Sequence, residues 1–237
     1  MKLVVFGATG GTGRCVVEQA LASGHDVTAV VRDPEGLPPR HERLRVVRAD
    51  VFQSAEIEPQ MVGADAVLSA LGPHTYRTET TVCSRAIESI LGAMREAGVR
   101  RLACVSAAPV ESAGKEDTSL YRFVARPLLR AVFKGLYEDL AVMEAEVRRS
   151  GIHWTIFRPP RLTDGPRTGR YRLGRDQNVV GGNSISRADL AEAMLDSLVG
   201  IRAMERFAVS VLPDSVLLPG GRATFWFPQS GPGGTAR

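Results

Sequence analysis

Leu3-Val4-Val5-Phe6-Gly7-Ala8-Thr9-Gly10-Gly11-Thr12-Gly13-Arg14 is the stretch on which the fold turns. Four consecutive apolar residues ending in glycine read as a strand buried on both faces. The helix that follows carries Val16, Val17, Ala20 and Leu21 on one side and closes at Gly24. Glycines stand at 7, 10 and 13, directly between strand and helix. Gly7 lets the chain leave the strand sharply. Gly10 removes a Cβ from the path of a pyrophosphate, and Gly13 lets helix and strand pack closely. The unpaired N–H groups of the first helical turn then face an anion. A triplet in this strand–turn–helix setting predicts dinucleotide binding, with Thr9, Gly11, Thr12 and Arg14 completing the cradle.

Outward from this unit, strand and helix keep alternating. Strands are expected over residues 26–31, 44–51, 64–71, 101–107, 152–157 and 207–212. Helices are expected over 54–61 with Ser54 as cap, 78–97, 137–149 and 186–198, the last opened by a Ser186-Arg187-Ala188-Asp189 capping box. Residues 161–183 read as a polar loop. Residues 111–135 break the alternation, and the segment 120–136 there reads as a core or lid helix, with a membrane-surface helix or a dimer face as alternatives. The pattern is an α/β chain, a single Rossmann-type doubly wound parallel sheet with helices on both faces. It is expected to occupy residues 1–212, with 213–237 as a partly mobile C-terminal extension rich in Pro and Gly.

Composition narrows the partners. Lys plus Arg number 30 against 26 Asp plus Glu, a net charge of only +4, and the arginines are scattered, which excludes a nucleic-acid footprint. Cys15, Cys83 and Cys104 form no C-x-x-C pair, so a disulfide framework is not expected and a reducing compartment is. The four histidines lack metal-ligand spacing, so no metal is expected. The apolar start is too short for a signal peptide and no stretch reaches membrane-spanning length. The expectation is a cytoplasmic protein with a small-molecule partner, no nucleic acid and no membrane, and a homodimer as an open option.

The G-x-x-G-x-x-G spacing resembles that of atypical short-chain dehydrogenase/reductases. The order of Gly7 to Arg14, Arg32, Asp50-Val51, Leu71-Gly72, Val105-Ser106-Ala107, Ser150-Gly151, Arg158-Pro159-Pro160, Thr168 to Tyr171 and Ile185 to Ala191 extends the likeness. It is similar to the NAD(P)H-binding branch that includes NmrA-like proteins and reductases of the flavin and biliverdin B type. Arg32 follows the second strand, where an acid would read the ribose of NAD. A guanidinium there favours the 2′-phosphate of NADP(H), while Asp33 is the competing ribose acid. The resemblance implies that Asp50 and Val51 meet the adenine. It puts Leu71, Gly72 and Pro73 beneath the nicotinamide ribose, with Ser106, Ala107 and Pro159 beside the nicotinamide.

No tyrosine is followed four residues later by lysine: Tyr76, Tyr121, Tyr137 and Tyr171 lead to Thr80, Ala125, Ala141 and Arg175. The paired phenol and ammonium that protonate a carbonyl in the better-known reductases are therefore missing. Ser106, Tyr137 and Arg161 remain as candidate catalytic groups, and Arg161 stands where flavin reductases of this type carry histidine. The expectation is an NADPH-dependent reductase of a conjugated acceptor, flavin, quinone or tetrapyrrole-like. Two alternatives stay open: a non-catalytic redox sensor, and a tailoring ketoreductase or epimerase using Tyr137.

Overall fold

The computed structural model describes residues 1–34, 37, 41–72, 80–107, 133–175, 184–199, 207–213 and 224–225. The N-terminal run forms β1 (Lys2–Phe6), and its pleat explains why every residue after the exposed Lys2 is apolar. Leu3 and Val5 enter one core, Val4 and Phe6 the other. β4 (Ala66–Ser69) repeats this, with Ala66 and Leu68 on the first side and Val67 on the second. Side chains alternate with period two, so both faces of a buried strand must be apolar when both are covered.

The covering helices are α1 (Gly11–Ala22), α2 (Ser54–Ile57), α3 (Val82–Glu96), α4 (Lys134–Arg149) and α5 (Arg187–Val199). α1 and α5 contribute Val16, Val17, Ala20, Leu190 and Met194 to one core. α3 and α4 contribute Ile87, Ile90, Met94, Leu140, Met143 and Val147 to the other. A fully buried side chain of this size is worth about 1.5–3 kcal/mol. The two layers are thus the main stabilising contribution.

The remaining strands are β2 (Asp26–Val31), β3 (Leu44–Arg48), β5 (Arg101–Val105), β6 (His153–Arg158), β7 (Arg161–Thr163), β8 (Tyr171–Arg175), β9 (Ser184–Ser186), β10 (Phe207–Pro213) and β11 (Thr224–Phe225). The large sheet has the order β11-β8-β10-β6-β5-β4-β1-β2-β3. From β3 to β10 every pairing is parallel. The strand order reverses between β1 and β4, where Val5 pairs with Ala29 on one side and Leu68 on the other. Such a reversal opens a crevice beyond the carboxyl ends of the strands.

Several elements differ from the sequence expectation. β3 stops at Arg48 rather than 51, because the Asp50 carboxylate accepts the Phe52 N–H at 3.0 Å and turns the chain. Ser54 is the first residue of α2, and Gln53 occupies the cap. α3 begins at Val82, where the buried Asp139 of α4 accepts the N–H groups of Cys83 (2.8 Å) and Ser84 (2.9 Å). That cap comes from another helix, so no local signal marks it.

The supposed loop over 161–183 holds two strands. β7 pairs in parallel with β9, and β8 runs antiparallel to β10. β8 thus adds an antiparallel strand to a sheet expected to be wholly parallel. Within the region read as an extension, Thr224–Phe225 pairs with β8. The segment 111–132 and the rest of the tail lie outside the described residues. No helix among the described residues is long and apolar enough to cross a membrane.

Candidate functional site

The carboxyl ends of β1, β2, β4, β5 and β6 lie along one edge of the sheet. They bring the glycine turn, Arg32, Leu71-Gly72, Ser106-Ala107 and Pro159 to Arg161 to that edge. The turn shows the shape an anion cradle requires. Gly7 has φ of +75°, and a Cβ there would stand 2.7 Å from both the carbonyl carbon and oxygen of Ala70. The turn is therefore pressed against the end of β4, at the strand reversal. At Gly13 a Cβ would come 2.0 Å from the Gly7 oxygen. Gly10 donates its N–H to the Gly7 oxygen at 3.0 Å and caps α1 without any side-chain bond. The first turn of α1 carries no acid. Its positive end is thus left for a ligand anion. The residues fit a dinucleotide pyrophosphate.

Thr12 is buried, Thr9 half-buried and Arg14 exposed on the solvent side of α1. Arg32 is exposed immediately past β2, with Asp33 beside it. Asp50 is half-buried; besides its own turn, its N–H donates to Glu56 at 2.9 Å. Val51 is buried in the core with Ile57 and Met61. Leu71 packs against the same core, while among the described residues a Cβ on Gly72 would meet nothing within 4 Å. Open space beside a backbone at this edge suits the approach of a ribose. Pro73 lies outside the described residues. Ala107 packs on the α3–α4 core, Pro159 is buried and Arg161 is exposed at the start of β7.

Ser106 departs from the role expected of it. Its hydroxyl donates to Glu144 Oε1 at 2.7 Å, and the residue is 6% exposed. Arg158 grips the same carboxylate with two prongs, Nε to Oε1 at 2.9 Å and Nη2 to Oε2 at 2.6 Å. Arg148 adds a third donor at 3.2 Å and lays its guanidinium over the Trp154 ring. The Ser106 proton is therefore committed inward. The side chain offers lone pairs, and no O–H, to anything at the rim.

Tyr137 lies seven residues before Glu144 on α4, roughly 10 Å along the helix axis. It packs edge-on against Phe133, with ring centroids 6.4 Å apart. Ser106 and Glu144 are brought together.

Glu144 was legible in principle. Leu140, Met143, Glu144 and Val147 fall at helical spacing on the buried face of α4, so a carboxylate sits on an apolar stripe. A buried charge of this kind demands a partner. Asp189 is a second such group. Its N–H donates to Ser186 Oγ at 2.9 Å, half of the expected box. Its carboxylate does not reach back. It accepts instead from Thr168 N (2.7 Å), Thr168 Oγ1 (2.9 Å) and Gly169 N (3.0 Å), and so pins the chain ahead of β8. The cysteines are free, and burial pushes the thiols of Cys83 and Cys104 up, Cys83 to about 12. Neither is a thiolate nucleophile near neutrality.

A family model described as NAD(P)H-binding matches residues 7–199. The uncharacterized YwnB of Bacillus subtilis is 31% identical over 211 residues, 84% of this chain and 92% of that protein. An uncharacterized chloroplastic protein of Arabidopsis thaliana is 32% identical over 210 residues, 84% of this chain and 72% of its own. The crystal structure of a Streptococcus pneumoniae protein provisionally named an NADH-flavin reductase superposes with a TM-score of 0.72 at 27% identity, covering 90% of this chain and 100% of that one. The family match spans the glycine turn, the sheet edge and Ser106 of this chain, and the chain belongs to the NAD(P)H-binding family.

Proposed function

We propose that the protein is an NADPH-dependent reductase whose acceptor is a planar conjugated molecule of the flavin, quinone or tetrapyrrole kind. The observation that carries this reading is the bond from Ser106 to Glu144, held by Arg158. A carbonyl reductase needs a proton donor, in the better-known reductases a phenol beside an ammonium, with a strand-end serine free to bond the carbonyl. Here the serine proton points inward, and no tyrosine has its lysine. An acceptor whose conjugation delocalises the incoming electron pair can draw its proton from water, so it needs no such acid.

When bound, the reduced nicotinamide supplies the hydride. The chain's own part is placement. Gly10 to Gly13 hold the pyrophosphate at the end of α1, and Leu71-Gly72 lie under the ribose. Ala107, Pro159 and the lone pairs of Ser106 wall the nicotinamide, and Arg161 flanks the acceptor side. Rate enhancement by positioning alone is substantial when the reacting atoms are held in contact. The choice of NADPH rests on Arg32, which suits a 2′-phosphate. The likeness to a protein provisionally named a flavin reductase supports the acceptor class. The unpaired cysteines suit a reducing compartment such as the cytoplasm.

The test is NADPH and NADH consumption by purified protein with FMN, a quinone and a linear tetrapyrrole. Turnover that prefers NADPH, and loses that preference in Arg32→Ala, is expected. Background rates with all three acceptors, alongside tight dinucleotide binding, would instead assign a redox sensor.

A further inference from the structure

The glycine turn contains one glycine more than the pyrophosphate motif needs, and Gly11 faces protein. A Cβ at Gly11 would stand 2.6 Å from Cδ and 2.8 Å from Nε of Arg187. The arginine side chain thus lies directly on the first residue of α1. Arg187 opens α5, from the far end of the chain, and Gln19 of α1 donates to the Ala188 carbonyl at 2.8 Å to fix the two helices together. The guanidinium is paired through Nη1 with Asp164 at 2.6 Å. That partner is exposed: the side chains are 29% and 89% accessible. An ion pair of this kind is weakly held and exchanges readily.

We propose that Arg187 is a phosphate-binding residue of the dinucleotide site, and that Asp164 is the counterion it exchanges for the pyrophosphate. The inference rests on dinucleotide binding at the glycine turn and not on the identity of the acceptor. Three facts meet in it. The turn presents an anion site at the α1 N-terminus, a guanidinium is folded over that turn, and its partner is an exposed carboxylate. A phosphate oxygen is a stronger partner for the guanidinium fork than a solvated aspartate. Because the pyrophosphate is common to both cofactors, Arg187 raises affinity for NADPH and NADH alike. Arg32 reads the difference between them.

The test is calorimetric titration of NADPH and NADH into the intact protein and three variants, with thermal unfolding of each recorded alongside. Arg187→Gln is expected to weaken both cofactors by about tenfold or more, leaving their ratio unchanged. Arg187→Lys, which keeps the charge and the stem over Gly11, falls between. Asp164→Asn is expected to tighten both, since the competing partner is gone, and to do nothing when Arg187 is already Gln. A purely structural tie predicts that Arg187→Gln and Asp164→Asn both weaken binding. That result, or unchanged affinity in Arg187→Gln, overturns the proposal. If the wild-type protein binds neither cofactor, the site reading fails and the proposal with it. Failure of every acceptor in the turnover assay leaves the binding result standing.

Discussion

Removing Glu144 tests the internal logic of the site. Its side chain is 5% accessible and that of Arg158 4%, so the pair is desolvated. Glu144→Ala removes the acceptor of Ser106 Oγ, the two-pronged partner of Arg158 and the partner of Arg148 in one step. Truncating one member of a buried pair costs about 3–5 kcal/mol, because the other charge stays buried without its counterion. At about 2–4 °C per kcal/mol for a chain of this length, Tm should fall by roughly 6–20 °C. Urea unfolding should show a lower midpoint at an unchanged slope. Glu138→Ala is the control, since Glu138 and its partner Lys134 are 66% and 74% accessible, and its effect should vanish in the scatter. The double replacement Glu144→Leu with Arg158→Met should recover part of the loss, because an apolar pair carries no desolvation penalty. If Glu144→Ala costs no more than Glu138→Ala, or the double variant loses the sum of its singles, the pair is not the buried ionic anchor described here.

Three further outcomes are expected. Gly13→Ala forces a Cβ to within 2.0 Å of the Gly7 oxygen, so the turn must move; about 1–3 kcal/mol of stability and most dinucleotide affinity should go, read by urea melts and titration. Gly72→Ala points into open space and should leave Tm unchanged while weakening NADPH binding, which separates cofactor contact from packing. Finally, the Cys83 thiol is pushed up from 9.0 to about 12, first by burial and then by Asp139, so above pH 9 the unfolded chain releases a proton that the native one keeps. Stability should therefore be full below pH 9 and fall as pH rises from 9 toward 12, by about 1.4 kcal/mol per pH unit for this one group. Urea melts of Cys83→Ala across that window should show a shallower slope.

The fold is most legible in the sequence where structure is local. The β1 run and the glycines at 7, 10 and 13 carry their geometry in neighbouring residues, and each feature stands in the fold. The same holds for α4, whose buried stripe recurs every three to four residues. What stayed hidden depends on partners distant in sequence. β8 carries Arg172 and Arg175 in a glycine-rich stretch, which reads as loop until β10 supplies its antiparallel neighbour. The cap on α3 sits 56 residues away at Asp139. Ser106 read as a candidate catalytic group because its place after β5 is visible in the chain, while its acceptor, 38 residues on, is not.

That last pair bears on the chemistry. A strand-end serine is commonly read as a hydrogen-bond donor to whatever reacts above it. In this chain the strand ends of β5 and β6 are tied to α4 by one carboxylate that takes both the serine proton and the Arg158 fork. The tie fixes the floor on which the nicotinamide would rest, and it does so by using up the proton donor. The two effects cannot be separated, since turning Ser106 outward would strip Glu144 of a donor in a desolvated site. A reductase on this frame gains rigidity where it gives up general acid catalysis. On the proposed reading, acceptors that need only a well-placed hydride are the ones such a floor serves.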